Sequence, residues 1–255
     1  MPIIQSVERA LKILDLFDER DRELTITEIS KRMNLHKSTV HSLLKTLREQ
    51  RYIAQNEENE KYSLGLKLFE RGNMVASHLD LRNVARKHLE TLSQITNLTT
   101  HLVILDGQEG LYVDKVEGSG VTVLYSRIGR RIPIHTSAVG KSLVATKTDG
   151  ELNQLLEGYK YTKQTEKSIS SKEEFLTEIE QVRINGYSID NEENEPGIVC
   201  FAVPVKDYSS KVVAAVSMSM PASKVNDETN KYYVELLKEC CDKISKDLGY
   251  GYQKI

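Results

Sequence analysis

The chain has 255 residues, with 35 Lys and Arg against 37 Asp and Glu, 39% hydrophobic residues and three cysteines. This length predicts two domains, each large enough to bury a core without disulfide support. No run of 18 apolar residues occurs, and the first residues do not have the pattern of a secretion signal, which argues against membrane and secreted proteins. We therefore expect a cytoplasmic protein with reduced cysteines.

The charge is unevenly distributed along the chain. A net charge of −2 argues at first against a nucleic-acid partner, because most nucleic-acid binders are basic. Residues 31–51, however, contain six Lys or Arg side chains and a single acid, Glu49. Such a segment is either a solvated helix face or a surface that contacts phosphates, and the underlying secondary structure distinguishes the two.

Two short helices are predicted first. Ser6 is a residue type that caps helices, and the apolar residues after it have the spacing of a buried stripe: Val7, Ala10, Leu11, Leu14 and Phe17. The second helix opens with a capping box formed by Thr25 and Glu28. It ends before Asn34, which tolerates the left-handed conformation of a helix stop.

A third helix is predicted from about residue 36 to Gln50. Its apolar side chains share one face: Val40, Leu43, Leu44 and Leu47. Its opposite face is polar and basic, and two short helices joined by a tight turn in this way form a helix-turn-helix whose exposed face suits the major groove of DNA. The predicted DNA contacts on this helix are Lys37, Ser38, Thr39, His41, Ser42, Lys45 and Arg48.

A small β-hairpin is predicted next, with strands at residues 52–55 and 61–64. A hairpin beside a helix-turn-helix is typical of a wing, in which Arg51 and Lys61 could touch flanking phosphates. Three glutamates at the tip would repel DNA and argue against deep insertion. We therefore predict a winged helix-turn-helix over residues 1–63 and a linker helix over residues 64–79.

From residue 80 to residue 255 the pattern predicts an α/β domain with a mainly antiparallel sheet. Strands are expected at residues 101–106, 111–116, 121–127, 187–190, 198–205 and 212–218. Helices are expected at residues 84–95, 137–146, 151–156, 172–183 and 227–248. No Gly-rich loop follows a strand, which disfavours a nucleotide-dependent enzyme.

Two segments of this domain are candidates for a ligand site. The turn before Ser137 leads into a helix N-terminus, whose N–H groups attract a carboxylate or phosphate; an ordinary helix cap explains the same residues equally well. The second candidate is the acidic loop from Asp190 to Cys200, beside a strand in which Ser217 and Ser219 replace aliphatic residues. A sheet face with Cys and Ser suits a polar ligand cavity.

Five motifs occur in order along nearly the whole chain: Thr25-Ile-Thr-Glu-Ile-Ser with Leu35-His-Lys-Ser-Thr-Val-His-Ser-Leu-Leu, Tyr62-Ser-Leu-Gly, Pro133-Ile-His-Thr-Ser-Ala-Val-Gly-Lys, Gly197-Ile-Val-Cys-Phe-Ala-Val-Pro-Val and Val216-Ser-Met-Ser-Met-Pro. Together they resemble the IclR family of bacterial transcriptional regulators. The resemblance implies a GAF-like effector domain after the linker helix. It also implies dimers through the DNA-binding domains, often tetramers through the effector domains, and a small organic acid as effector.

The resemblance further implies the residues of the effector pocket: His135, Thr136, Ser137, Gly140, Asp190, Cys200, Ser217 and Ser219. Two residues depart from the family pattern. Ser42 stands where the recognition helix commonly has Arg, which puts a strong guanine contact in doubt, and His36 stands where many members have Pro. We expect a ligand-responsive repressor that binds a palindromic operator, with no cofactor or metal.

Two other functions would use the same residues. An enzyme would take Cys200 as nucleophile, His135 as base and Asp190 to orient the histidine, but no local signature supports it. A metal sensor would use His101 or His135 with Asp190 and Cys200, but the chain lacks CxxC and HxxxH spacings. We therefore expect no catalytic residues.

Overall fold

The computed structural model describes residues 3–18, 20–77, 80–119 and 126–251. The chain divides into two compact units, Met1–Leu79 and Asp80–Ile255, and each has a buried core of its own. No helix in these described ranges combines the length and the apolar character needed to cross a bilayer.

The first unit has the predicted winged helix-turn-helix architecture. Its elements are α1 (Gln5–Leu14), α2 (Ile26–Met33), α3 (Lys37–Glu49), β1 (Ile53–Gln55), β2 (Tyr62–Leu64) and α4 (Leu66–Ser77). The capping box at the start of α2 is confirmed, since the side chains of Thr25 and Glu28 each accept a hydrogen bond from the other's backbone N–H. Asn34, with φ of 50°, ends the helix in the left-handed conformation. Leu24 pairs with Tyr62 and so joins the wing to the helix-turn-helix.

Helix α1 corrects two predictions. Ile4 rather than Ser6 is its N-cap, and no side chain caps it. Ile13 and Phe17 are buried, whereas Val7 and Leu11 are 54% and 57% exposed. Apolar residues occur on two neighbouring faces of this helix, and the unit's core covers only the face that carries Ile13. An apolar stripe is left in solvent.

Over the residues that the structure describes, the second unit is an α/β domain with an antiparallel six-stranded sheet. Its elements are α5 (Asp80–Thr96), β3 (Thr99–Asp106), β4 (Glu109–Val116), β5 (Arg131–Pro133), α6 (Ala138–Ala145), α7 (Asp149–Leu155), α8 (Lys172–Asn185), β6 (Ser188–Asn191), β7 (Ile198–Lys206), β8 (Val212–Pro221) and α9 (Asp227–Asp247). The strand order is β5-β4-β3-β8-β7-β6, and each neighbouring pair is antiparallel. The predicted α/β class with a mainly antiparallel sheet is therefore confirmed.

One predicted strand of the sheet lies mostly outside the described residues, and one observed strand is absent from the prediction. Of the strand predicted at residues 121–127, residues 121–125 lie outside the described residues, and Ser126 and Arg127 are not in a strand. The sequence predicts no strand in the segment before α6, but this segment contains the short strand β5, which pairs with the start of β4. This pairing places the loop before β5 beside the sheet, where it contributes to the site below.

Helices cover both faces of the sheet. Helices α5 and α9 pack on one face, and α6 and α8 pack on the other, so that the domain has two cores. Side chains alternate between them as a strand requires: Ala215 belongs to the α6–α8 core and Val216 to the α5–α9 core. Polar residues at the edge of the α6–α8 side leave space for a cavity there.

Candidate functional site

The exposed face of α3 is the first candidate site. Val40, Leu44 and Leu47 are buried against the rest of the unit, which turns the opposite face outward. The exposed side chains of the helix include six of the predicted DNA contacts: Lys37, Ser38, His41, Ser42, Lys45 and Arg48. Thr39 is half-buried on the flank. The predicted set thus lies largely on one continuous basic and polar surface, which we call the α3 face.

Hydroxyl groups of this face are already engaged by the helix backbone. Ser42 Oγ donates to the Ser38 carbonyl at 3.1 Å, and Thr46 Oγ1 donates to the Ser42 carbonyl at the same distance. A hydroxyl that donates in this way keeps its lone pairs free to accept. Ser42 is therefore suited to accept from a base amino group, a weaker contact than the one an arginine would make.

The two other predicted DNA contacts flank the α3 face. Arg51 follows the helix in the left-handed conformation, with φ of 61°, and its guanidinium lies 3.9 Å from the Glu70 carboxylate. Lys61 is half-buried immediately before β2. The wing tip between the strands carries the exposed acids Glu57, Glu58 and Glu60. Positive charge is thus concentrated at the base of the wing.

The second candidate site is a cavity in the second unit, on the sheet face beside the start of α6. Its cavity volume is about 70 Å³, and the cavity is partly open to solvent. Strand register builds its floor: Asp190, Cys200 and Ser219 are directly opposite one another on β6, β7 and β8. Ser217 of β8 is likewise opposite His101 of β3. Residues opposite one another in neighbouring strands share a face, so these side chains meet in one polar patch.

Most of the floor is uncharged. His101 Nε2 lies 2.7 Å from Ser126 Oγ and its Nδ1 lies 3.3 Å from Ser217 Oγ. Burial lowers the pKa of His101 to about 3, so the ring is neutral. Cys200 Sγ lies 3.1 Å from Ser219 Oγ, and burial raises the pKa of this thiol. The thiol is therefore not the nucleophile that an enzyme would need.

Asp190 is the group of the floor whose pKa lies near neutral pH. Its Oδ1 accepts from the backbone N–H groups of Glu193 and Asn194, at 2.7 and 3.2 Å. The side chain is nearly inaccessible to water. Burial and the nearby Glu193 charge raise the pKa of Asp190 to about 7, against the opposing effect of the two N–H groups. This carboxyl can therefore both donate and accept hydrogen bonds near neutral pH.

Cations and amides surround the mouth of the cavity. Arg130 and Arg131 are exposed lining residues, and Arg131 pairs with Asp106 and, at 3.6 Å, with Glu109. Amide and acidic side chains complete this part of the wall: Gln164, Asn194 and Glu195. A cationic rim above a neutral hydroxyl floor can hold a small molecule that has one anionic end and further polar groups.

Three residues predicted to line the pocket lie outside the cavity wall. His135 is fully buried; its Nδ1 lies 2.7 Å from Tyr159 Oη and its Nε2 lies 3.1 Å from the Thr162 carbonyl. An N–H on Nε2 satisfies both bonds, and burial lowers the pKa of the ring. Thr136 is also fully buried, and its hydroxyl has no hydrogen-bond partner among the residues that the structure describes.

Gly140, the third of these residues, allows a close approach. A Cβ at this position would lie 2.3 Å from Ile134 Cα, so only glycine lets α6 pack against the preceding turn. Ser137 does line the cavity, but it is also the helix cap: it accepts from Gly140 N–H at 3.2 Å and donates to the Pro133 carbonyl at 2.6 Å. His135, Thr136 and Gly140 therefore shape the start of α6, and the expectation that they line the pocket is corrected.

The contacts of His135 and the cavity residues also bear on the two alternative functions, an enzyme that uses Cys200 and a metal sensor. Both ring nitrogens of His135 are engaged by Tyr159 and Thr162, which leaves neither available to activate Cys200. In the portions of the chain that the structure describes, no cluster of three His, Cys, Asp or Glu side chains has the geometry to hold a metal ion.

The site residues predicted from sequence do not include Lys141, a buried cation beside the cavity. Lys141 of α6 is fully buried, and its Nζ lies 2.6 Å from Glu193 Oε1. A signal is present in the sequence, because Lys141 is the only charged residue in the otherwise apolar or small-residue helix Ala138–Ala145. A charged residue on a buried helix needs a partner, but the sequence does not indicate which one.

Comparison with known proteins assigns both units to one family. A family model described as the IclR helix-turn-helix domain matches residues 6–57, and one described as the bacterial transcriptional regulator IclR C-terminal domain matches residues 73–246. The regulator XynR of Escherichia coli is 52% identical over 250 residues, which cover 98% of this chain and 99% of XynR.

Two further relatives span the same two units. The repressor AllR of Salmonella typhimurium is 28% identical over 245 residues, covering 96% of this chain and 90% of AllR. The crystal structure of IclR from Thermotoga maritima is 33% identical, with a TM-score of 0.79, and covers 96% of this chain and 99% of that one. XynR and AllR are transcriptional regulators rather than enzymes.

Proposed function

The chain belongs to the IclR family of DNA-binding bacterial transcriptional regulators, and we propose that it is a repressor that binds a palindromic operator as a dimer or tetramer and is controlled by a small organic acid. The observation that carries the proposal is the presence of the exposed α3 face in one unit and the polar cavity in the other. A repressor of chromosomal genes acts in the cytoplasm, which is where we place this protein.

The α3 face supports the DNA contact. Lys and Arg side chains at its centre and edges can reach phosphates or guanine, while Ser, Thr and His provide smaller contacts to base edges. In a dimer, two such helices would meet successive major grooves about 34–36 Å apart. The proposed contacts are Lys37, Ser38, Thr39, His41, Ser42, Lys45, Arg48, Arg51 and Lys61.

Exposed apolar side chains support self-association through the first unit. The unit's own core leaves an apolar stripe in solvent along α1 and the two residues before it: Ile3, Ile4, Val7 and Leu11. Helix α4 likewise exposes Leu66, Phe69 and Met74. Apolar groups clustered in this way are typical of protein interfaces, and a two-fold axis pairs one surface with its copy.

The cavity supports an organic acid as effector. A carboxylate near Arg130 and Arg131 would gain charge-assisted hydrogen bonds, and polar groups on the rest of the molecule would meet the hydroxyl and amide groups of the floor and wall. We propose that Ser137, Asp190, Cys200, Ser217 and Ser219 contact it, while His135, Thr136 and Gly140 hold the start of α6. A coupling of about 1–3 kcal/mol between effector and operator, about 5- to 150-fold in affinity, would suffice for control.

Repression is the sign that we propose, because an operator-bound dimer that overlaps a promoter excludes RNA polymerase. The relative AllR is named a repressor. A reporter gene placed behind the chain's own upstream region tests this: deletion of the regulator should raise expression, and lowered expression would show activation instead.

The operator and the effector can each be found by unbiased selection. Purified protein is used to select bound duplexes from a randomised pool, which should enrich a palindrome; absence of any enriched sequence would contradict operator binding. A thermal-shift screen of small organic acids should reveal an effector, since a ligand at 100 times its Kd stabilises by about 2.7 kcal/mol. If no acid raises the Tm at millimolar concentration, the proposed effector class is wrong.

A further inference from the structure

We propose that Gln55, on the wing strand β1, is a positioning residue that orients the Arg48 guanidinium for base recognition. The inference rests on the proposed function, because it requires that the α3 face contacts DNA. Arg48 lies in the last turn of α3 and is exposed, whereas Gln55 is half-buried beside it. Arg48 Nη1 donates to Gln55 Oε1 at 2.6 Å.

The direction of the Gln55 amide is set by the wing itself. Its Nε2 donates to the Glu60 carbonyl at 3.1 Å, across the turn of the hairpin. An amide side chain has one donor end and one acceptor end, so this bond directs the acceptor oxygen towards Arg48. Swapping the two ends would place two donors against each other at Arg48 and two acceptors at Glu60.

The turn that carries Glu60 is itself well defined. Asn56 N–H donates to the Lys61 carbonyl at 2.9 Å, and the Asn59 side chain accepts from Lys61 N–H at 2.9 Å. Asn56 also accepts from Glu58 N–H with its side-chain oxygen. Glu60 adopts the left-handed conformation, with φ of 55°. A chain of hydrogen bonds therefore runs from the wing turn through Gln55 to the guanidinium.

A neutral acceptor is suited to this role. Arg48 has five N–H donors, and one bond to an uncharged amide leaves the positive charge and the other donors for DNA. An acidic partner would hold the side chain but also compete with phosphate and guanine. Arg32 shows this contrast in the same unit, because its Nη1 lies 2.7 Å from the Asp21 carboxylate. Gln55 thus fixes direction without neutralising charge.

Orientation matters for sequence preference more than for general attraction to DNA. Bidentate recognition of guanine by arginine needs a guanidinium whose plane and direction are defined, whereas phosphate attraction depends mainly on charge. A side chain that is oriented before binding also loses less rotamer freedom on binding. We therefore expect loss of Gln55 to relax sequence preference while general DNA affinity stays nearly unchanged.

The test compares duplexes selected from a randomised pool by the wild-type protein, Arg48→Ala, Gln55→Ala and the double variant. Arg48→Ala should lower the preference for one base in each half-site by at least about tenfold. Gln55→Ala should lower it about three- to tenfold at the same position and add nothing in the Arg48→Ala background. Gln5→Ala is the matched control, because it removes a similar contact, from Arg9 Nη2 to Gln5 Oε1 at 3.5 Å, on α1.

A second variant separates orientation from charge and guards against a misfolded wing. Gln55→Glu keeps an acceptor beside Arg48 but loses the donor to the Glu60 carbonyl and adds a negative charge, so it should relax the base preference as Gln55→Ala does. Unlike Gln55→Ala, it should also weaken binding to a mixed-sequence duplex and flatten its salt dependence by about 0.9. If Gln55→Ala keeps the wild-type base preference while Arg48→Ala loses it, the inference is overturned and the proposed function stands. Additive effects in the double variant also overturn it, whereas a wild-type protein that enriches no sequence contradicts the proposed function itself.

Discussion

Lys141 Nζ lies 2.6 Å from Glu193 Oε1, and the lysine side chain is completely buried. The same ammonium donates to the Ile189 carbonyl at 2.7 Å and lies 3.2 Å from Glu178 Oε1. Its three N–H donors are thus matched by three acceptors. The pair ties α6 to the loop 190–195, which forms one wall of the cavity.

Replacing Lys141 by Met should destabilise the second unit by about 3–5 kcal/mol, because Glu193 would keep a buried charge without a partner. Urea unfolding at pH 7 measures the change. Lys243→Met is the control, since Lys243 and Glu239 form an exposed pair at 3.8 Å, and its loss should cost less than about 1 kcal/mol. The double variant Lys141→Met with Glu193→Leu should recover much of the loss. A Lys141→Met protein as stable as the wild type would contradict this account of the pair.

This pair also marks how far the sequence could predict the site. The predicted bounds of the helix that carries Lys141 nearly match the observed ones, because capping and spacing are local signals. The partners of the lysine lie 37 and 52 residues further along the chain. Their meeting depends on how α8 and the loop after β6 pack around α6, and no local pattern contains that information.

The same limit explains why three predicted pocket residues lie outside the cavity wall and why part of the predicted buried stripe of α1 is exposed. The sequence predicts a polar turn at the helix start, residues 135–140, but its direction relative to the sheet decides that Ser137 faces the cavity and Thr136 does not. In α1, apolar residues on two adjacent faces predict a helix clearly but leave its buried side ambiguous. By contrast, the strand floor follows from alternation, so Ser217, Ser219 and Cys200 meet as their spacing indicates.

Replacing Lys45 by Ala should weaken binding to the selected operator and flatten its salt dependence. Lys45 lies at the centre of the exposed α3 face, and each lost phosphate contact lowers the slope of log K against log salt by about 0.9. Fluorescence anisotropy titrations at salt concentrations from about 50 to about 200 mM measure this slope, because binding to phosphates weakens strongly over that range. Lys12→Ala is the control, because Lys12 pairs with Glu8 on α1 at 2.7 Å. Equal slopes for the Lys45 variant and the wild type would place the DNA elsewhere.

Replacing Leu11 by Glu should weaken self-association and, with it, operator binding. A carboxylate within an apolar interface must lose its hydration, so we expect at least about a tenfold rise in the dimer dissociation constant. Sedimentation analysis across protein concentration measures it. Ile184→Glu places the same side chain on α8, where Ile184 is 75% exposed, and should leave the association unchanged. An unchanged constant for the Leu11 variant would exclude α1 from the interface.

Replacing Asp190 by Asn should change how stability depends on pH. The pKa of Asp190 is raised in the folded protein to about 7 from an ordinary value of 3.8, so folding favours the protonated carboxyl. Its stabilising contribution is complete below about pH 4 and is lost as the pH rises through about 7. An asparagine cannot ionise and keeps an oxygen for the N–H groups of Glu193 and Asn194, so the variant should gain on the wild type by a few kcal/mol between about pH 4 and pH 8.

Urea unfolding of both proteins at each pH isolates this effect, because contributions from other groups, including the neutral His101, cancel in the difference. Asp207→Asn is the control of opposite sign, because hydrogen bonds from Ser209 hold the pKa of Asp207 below its usual range. That variant should lose stability relative to the wild type as the pH rises towards about 4 and should differ from it by a constant amount above about pH 4. A constant difference between Asp190→Asn and wild type across the range would mean that Asp190 ionises normally.

The same Asp190→Asn variant should also change how effector binding depends on pH. Ionisation of the buried Asp190 carboxyl lowers the stability of the folded protein near neutral pH. This loss is expected where a protonatable group is kept in a ligand cavity. In the wild type the carboxyl becomes an anion as the pH rises through about 7 and then repels an effector acid, whereas the amide of the variant stays neutral. Calorimetric titration with the selected acid should therefore show an affinity that falls with rising pH for the wild type only. An equal fall in both proteins would mean that the effector does not contact Asp190.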